Sequence, residues 1–232
     1  MEHHGASRRE LLKMTAAGMV AIVATPETMF AQNAKTASAS PETPEEAVRL
    51  LLQGNERYMA YKPGECVVDL AELRRATKEE QRPFAAILAC ADSRLPVEII
   101  FAKSIGQLFV VRVAGNIAAP DTIASLEYAA EELGIKTILV LGHSGCGAVK
   151  ATKAGGAVPG QISELFQYIY PATVGTEDLQ AAVEKNARLQ AAILRGSSPD
   201  IVKLIESGKL SVEAAVYDLD TGKVKLLEAL KL

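Results

Sequence analysis

The chain has 232 residues, 49% of them hydrophobic, with a formal net charge of −3, three cysteines and no tryptophan. That length suits one globular domain with a sizeable core and leaves residues over for terminal segments. Mild acidity without a Lys/Arg run lacks the footprint of a nucleic-acid binder, no apolar stretch reaches the roughly 18–20 residues of a membrane span, and so low a cysteine count argues against a disulfide framework.

Ser7-Arg8-Arg9-Glu10-Leu11-Leu12-Lys13 sets an arginine pair ahead of the apolar run from Met14 to Ala24. That run fits the roughly 7–15 residues of a signal-peptide core and is too short to anchor stably in a bilayer. The heptapeptide resembles the twin-arginine export signal, with Leu11 where many such signals carry phenylalanine. Ala37-Ser38-Ala39 fits an A-x-A cleavage site, with Ala31 and Ala34 as alternatives. Residues 1–39 are therefore expected to be an export signal and linker, and the protein to reach the periplasm or an equivalent compartment. From Gln32 to Thr43 too few apolar residues are present to pack, as in a linker.

Thr43-Pro44-Glu45-Glu46 reads as a helix start, with Thr43 as cap, Pro44 at the first helical position and Glu46 closing a capping box. Ala47, Leu50, Leu51, Gly54 and Tyr58 then share one face, which should lie against another surface. A second helix is expected over Asp69 to Glu80. Pro83 to Ala89, Leu108 to Ala114 and Thr137 to Leu141 are short apolar runs of the kind that suits parallel strands covered on both faces. Between the last two, Ile123, Leu126, Ala130 and Leu133 have helical spacing, with Gly134 as the stop. Further helices are expected over Thr176 to Leu194 and Pro199 to Ser207. Val212 to Leu219, the turn Asp220-Thr221-Gly222-Lys223 and Val224 to Leu227 read as a hairpin, or a strand with an extension, at a sheet edge. The pattern predicts a single α/β domain over residues 40–232. It has a mainly parallel central sheet flanked by helices, and an N-terminal helical arm.

Two motifs stand at the carboxyl ends of predicted strands, where ligands gather in an open α/β sheet. Cys90-Ala91-Asp92-Ser93-Arg94 follows the first apolar run, and His143-Ser144-Gly145-Cys146-Gly147 follows the third. Cys90, His143 and Cys146 offer two thiolates and one imidazole, a soft set that selects zinc over harder cations. His143 and Cys146 lie three apart at a strand-to-helix turn, so both can reach one ion, and Gly145 and Gly147 free the backbone to turn tightly there. His143 is the only histidine beyond His3 and His4. The plain alternative is a core histidine with two buried thiols, and for Asp92 and Arg94 a helix cap and a surface ion pair.

Cys-Ala-Asp-Ser-Arg followed about fifty residues later by His-x-x-Cys-Gly resembles the double signature of the β-carbonic anhydrases. The similarity extends through Pro96-Val97-Glu98-Ile99-Ile100-Phe101, Leu108 to Asn116, Ser125-Leu126-Glu127-Tyr128-Ala129 and Gly142 to Val149, roughly from Pro44 to the C-terminus. The resemblance implies one zinc per chain on Cys90, His143 and Cys146. The fourth position is left to water or hydroxide or, in a closed resting form, to the Asp92 carboxylate. It implies that Arg94 holds Asp92 away from the metal in the active form, and that Asp92 orients hydroxide toward carbon dioxide. It also implies a homodimer or larger homo-oligomer, in which the helix from Pro44 to Tyr61 could wrap a partner subunit. A second, inhibitory bicarbonate pocket built around tryptophan in one bacterial branch is not expected, since the chain has none.

The implied reaction is reversible hydration of carbon dioxide to bicarbonate and a proton. Three other readings stay open: a carbonyl sulfide or carbon disulfide hydrolase on the same site, a closed structural zinc module with Cys66 as fourth ligand, and a non-catalytic bicarbonate sensor. Cys66 is otherwise read as a buried thiol, and Glu98, Lys103 and Glu127 as solvated or structural.

Overall fold

The computed structural model describes residues 40–61 and 70–230. The expected export signal and Cys66 lie outside the described residues. Five strands form one sheet in the order β2-β1-β3-β4-β5. They are β1 Ala85–Ala89, β2 Leu108–Arg112, β3 Thr137–His143, β4 Ser211–Tyr217 and β5 Val224–Leu227. The first four run parallel, and β5 returns antiparallel to β4 as the edge arm of a hairpin. Every residue of β1 and β3 is buried, as expected of strands covered on both faces. The mainly parallel α/β sheet flanked by helices is thus as the apolar runs predict.

The strand order creates the site. Beyond the carboxyl end of β1 the chain moves outward to β2, whereas beyond β3 it moves the other way, to β4. Adjacent strands whose connections diverge leave a crevice between their carboxyl ends, and ligands bind there. Cys90 follows β1 directly and His143 closes β3, so the two motifs meet at this crevice.

Helix α1 (Pro44–Met59) starts where the sequence predicts, with the Thr43 hydroxyl accepting from Glu46 N. The reciprocal half of the box is shifted: the Glu46 carboxylate accepts from Glu42 N, not from the Thr43 amide. The apolar face lies against this chain itself. Ala47, Leu51 and Gly54 are buried, and a Cβ on Gly54 would stand 1.8 Å from the Phe101 carbonyl oxygen. Asn55, absent from the predicted face, is buried beside them. Its amide donates to the carbonyls of Ile100 and Gly222 and accepts from Val224 N, tying α1 to the β4–β5 hairpin. The apolar face expected to lie against another surface does so within the chain.

Helix α2 spans Leu70–Ala76, shorter than expected, and Thr77 closes it with both its amide and its hydroxyl donating to the Leu73 carbonyl. A short helix, α3 (Val97–Ile100), follows the first motif, and α4 (Pro120–Glu131) joins β2 to β3. Helix α5 (Gly147–Ala154) leads away from the second motif. Helix α6 (Phe166–Thr173) escaped sequence reading because Pro171 lies inside it, removing one helical hydrogen bond. Helix α7 runs Leu179–Ser197, three residues later than expected at its start, because the Asp178 carboxylate caps it by accepting from Ala181 N. Ser198 then caps α8 (Pro199–Glu206). Among the described residues no helix is long and apolar enough to cross a membrane. Lys103 is buried, its amine 5.2 Å over the Phe84 ring, while Glu98 is exposed and Glu127 half-buried.

Candidate metal centre

Cys90, His143 and Cys146 are all buried, and their ligand atoms lie within 4.8 Å of one another. The two sulfurs are 4.0 Å apart. Two sulfurs at the usual zinc–sulfur distance on a tetrahedral ion stand about 3.8 Å apart, so the spacing fits. His143 Nδ1 lies 3.0 Å from the Ser144 carbonyl oxygen, a partner that only a protonated Nδ1 can satisfy. That hydrogen bond leaves Nε2 as a lone pair, and Nε2 is buried without a partner. A buried lone pair facing two thiols costs stability unless something accepts it. These donors fit a soft, tetrahedral cation.

The two thiols are in hydrogen-bond contact with each other. Cys90 is held well below the ordinary cysteine range, first by the hydrogen bond from Cys146 and then, against the opposing cost of burial, by the Gly115 amide. Cys146 is correspondingly raised by that shared hydrogen bond and by burial, although the Ala148 and Val149 amides at the start of α5 favour its thiolate.

Asp92 stands beside this trio. Arg94 Nε donates to Oδ1 at 2.9 Å, Nη2 donates to Oδ2 at 2.8 Å and the Arg94 amide donates to Oδ1 at 3.0 Å. This two-pronged grip holds the Asp92 carboxyl well below the usual carboxylate range, burial opposing it. The carboxylate is thus held by the arginine. The Arg94 side chain is 58% exposed and the Asp92 side chain 19%, so the site opens to solvent on the dyad's side.

Several residues that hold the site were not singled out by sequence. Arg112, ending β2, donates from Nε to the Cys90 carbonyl at 3.1 Å and from Nη2 to the Asp92 carbonyl at 2.5 Å. Its signal was a lone cation at the end of an apolar strand. Ser144 accepts from Leu219 N through its hydroxyl and donates its amide to the Tyr217 carbonyl, fixing the loop after β3 to the end of β4. Gly115 N donates to Cys90 Sγ.

Such a cysteine–histidine–cysteine pocket at the switch point of a parallel sheet, with an arginine-held carboxylate beside it, defines an α/β enzyme whose site could hold a metal ion. A sequence profile of carbonic anhydrases matches residues 85–224. Carbonic anhydrase 2 of Mycobacterium tuberculosis is 33% identical over 192 residues, covering 79% of this chain and 92% of that protein. A solved Coccomyxa β-carbonic anhydrase is 28% identical with a TM-score of 0.62, covering 76% of this chain and 84% of the other. A tetrameric β-carbonic anhydrase from Sordaria macrospora shares the fold at a TM-score of 0.64 and 23% identity, over 79% of this chain and 98% of the other. The chain belongs to the β-carbonic anhydrase family, whose enzymes interconvert carbon dioxide and bicarbonate.

Proposed function

We propose that Cys90, His143 and Cys146 hold one zinc ion per chain, and that Asp92 and Arg94 serve the reversible hydration of carbon dioxide beside it. The observation that carries this is the unpartnered His143 Nε2, buried within reach of two thiol sulfurs. When bound, the ion supplies the Lewis acidity that makes hydroxide available near neutral pH. The remaining steps belong to the chain. Arg94 stays charged at any working pH and keeps the Asp92 carboxylate ionised and fixed, so that it acts only as a hydrogen-bond acceptor. In that state Asp92 takes a hydrogen bond from the nucleophile and aims its lone pair at carbon dioxide. Arg112 holds the Cys90 and Asp92 carbonyls, which keeps ligand and carboxylate in register. A closed structural site would have no use for a solvent-facing carboxylate held this way.

The test is an isotope-exchange assay of carbon dioxide hydration on the mature protein, run beside carbonyl sulfide and with zinc measured. Expected are one zinc per chain and exchange with carbon dioxide. Turnover of carbonyl sulfide alone would overturn the substrate, and metal without turnover would support a structural site.

The family resemblance and the tetrameric Sordaria macrospora enzyme support a homo-oligomer. The arginine pair Arg8-Arg9 supports export of the folded protein to the periplasm or its equivalent, with residues 40–232 as the catalytic domain. Zinc thiolates load best in a reducing cytosol, which suits that route. Changing both arginines to lysine is expected to leave full-length precursor in the cytoplasm, and normal export of that variant would refute the route.

A further inference from the structure

Helix α7 carries two amide side chains that face inward. Asn186 is 1% exposed and Gln190 fully buried, although nothing in a hydrophobic helix face requires an amide. Buried amides are retained where they satisfy backbone groups that have no other partner. Asn186 Nδ2 donates to the Gly115 carbonyl at 2.9 Å. Gln190 Oε1 accepts from Ala118 N at 2.9 Å, and its Nε2 donates to the Tyr168 carbonyl at 2.9 Å and to Asn186 Oδ1 at 3.1 Å. The pair thus clamps the loop that follows β2.

That loop reaches the metal centre through the Gly115 amide. Gly115 N donates to Cys90 Sγ at 3.3 Å, within a buried environment. Gly115 has φ +79°, a left-handed conformation natural to glycine, and a Cβ there would stand 2.5 Å from Ile169 Cδ1. The clamp fixes the peptide that follows Gly115 and the enclosure limits rotation about its Cα, and together these restrict where its N–H, in the preceding peptide, can point.

We infer that Asn186 is a positioning residue for the metal centre, holding the Gly115 amide on the Cys90 sulfur so that the thiolate gives less charge to the ion. The inference rests on the reading of Cys90 as a zinc ligand. Two thiolates blunt the Lewis acidity that a zinc hydratase depends on, and a hydrogen bond to one sulfur draws part of that charge back. Partners of this kind, one step beyond the ligands, tune metals through their ligands. The remote amide on α7 thereby acts on the reaction without touching substrate.

The experiment uses the intact protein loaded with ¹¹³Cd and followed by NMR. A hydrogen bond from an amide to a cadmium-bound sulfur transmits scalar coupling to the amide proton. The Gly115 amide proton is expected to show such coupling in the wild type and to lose most of it in Asn186→Ala. In the cobalt-loaded variant the sulfur-to-cobalt charge-transfer band should move to lower energy, because the sulfur has become a better donor. Asn55→Ala is the control, since it removes an equally buried amide that makes no hydrogen bond to the metal-ligand loops. It should lower stability and leave coupling and band in place. Bound cadmium coupled to protons of Cys146 and His143 but not to the Gly115 amide overturns this inference alone, and that wild-type result stands whether or not Asn186→Ala folds. Coupling and band unchanged in a loaded Asn186→Ala overturn the role of Asn186. A protein that binds no cadmium overturns the zinc reading itself.

Discussion

Asp92 Oδ2 lies 3.9 Å from His143 Nε2 while the same oxygen accepts a hydrogen bond from Arg94 Nη2. The carboxylate is therefore within a short swing of the metal position, and the guanidinium is what holds it back. Removing Arg94 should let Asp92 turn onto the ion and close the open position. Removing Asp92 should leave the nucleophile formed but unaimed. Loss of one such group typically costs about 10²–10⁴-fold in rate. Asp92→Ala and Arg94→Ala should each fall in that range with zinc retained, and the double variant should be scarcely worse, as when groups act as one device. Carbon dioxide hydration with zinc analysis on all three variants decides it. Near-normal turnover in either single, zinc-loaded variant would rule the dyad out.

The metal set is expected to be complete without the third cysteine. Cys66→Ser should keep one zinc per chain, whereas Cys90→Ser or His143→Ala should lose most of it. Atomic absorption on the purified variants reads this directly. Zinc lost on changing Cys66 would favour a closed four-ligand structural site.

Gly54 offers a test of how α1 docks. In a free helix, alanine for glycine stabilises by roughly 0.5–1 kcal/mol. Here the added methyl would stand 1.8 Å from the backbone oxygen of Phe101, which has no side-chain freedom with which to yield. Overpacking of this sort costs about 1–3 kcal/mol, so the steric cost outweighs the helix gain. Gly54→Ala should unfold at lower denaturant concentration than wild type. A raised midpoint would show that α1 is not seated on Phe101.

Glu213 on β4 gives a dependence on pH. Burial pushes its carboxyl above the usual range, and the charge of Arg195 only partly offsets this. A raised acid binds its proton more tightly folded than unfolded, so its contribution is most favourable below the unfolded value of about 4.3. That contribution is lost as pH rises through the folded value. Glu213→Gln, which keeps the neutral form at every pH, should therefore be more stable than wild type at pH 7. The difference should shrink toward zero below about pH 4. Urea unfolding at both values reads it, and a gain confined to acid would contradict the burial argument.

The strands were legible because β1 and β3 are buried on both faces, so their sequences are continuous apolar runs with no solvent-facing residue to interrupt them. The ligands were legible because two thiols and the single histidine of the chain's central region fall immediately past those runs. Where local rules compete, the reading failed. Pro171 hid α6, and Asp178 moved the start of α7.

The sequence by itself determined which residues can bind a soft metal, and that they follow strand ends, because side-chain chemistry and apolar period are local properties. Only the tertiary structure decided that β1 and β3 are neighbours, which brings Cys90 and Cys146 to 4.0 Å across 56 residues of chain. It also decided that Asn186 would hold the Gly115 carbonyl, and Asn55 the turn at Gly222. Such amides carry no periodic signal. A buried asparagine is tolerated only where a distant backbone group happens to need it, and that need exists only once the sheet order has been set.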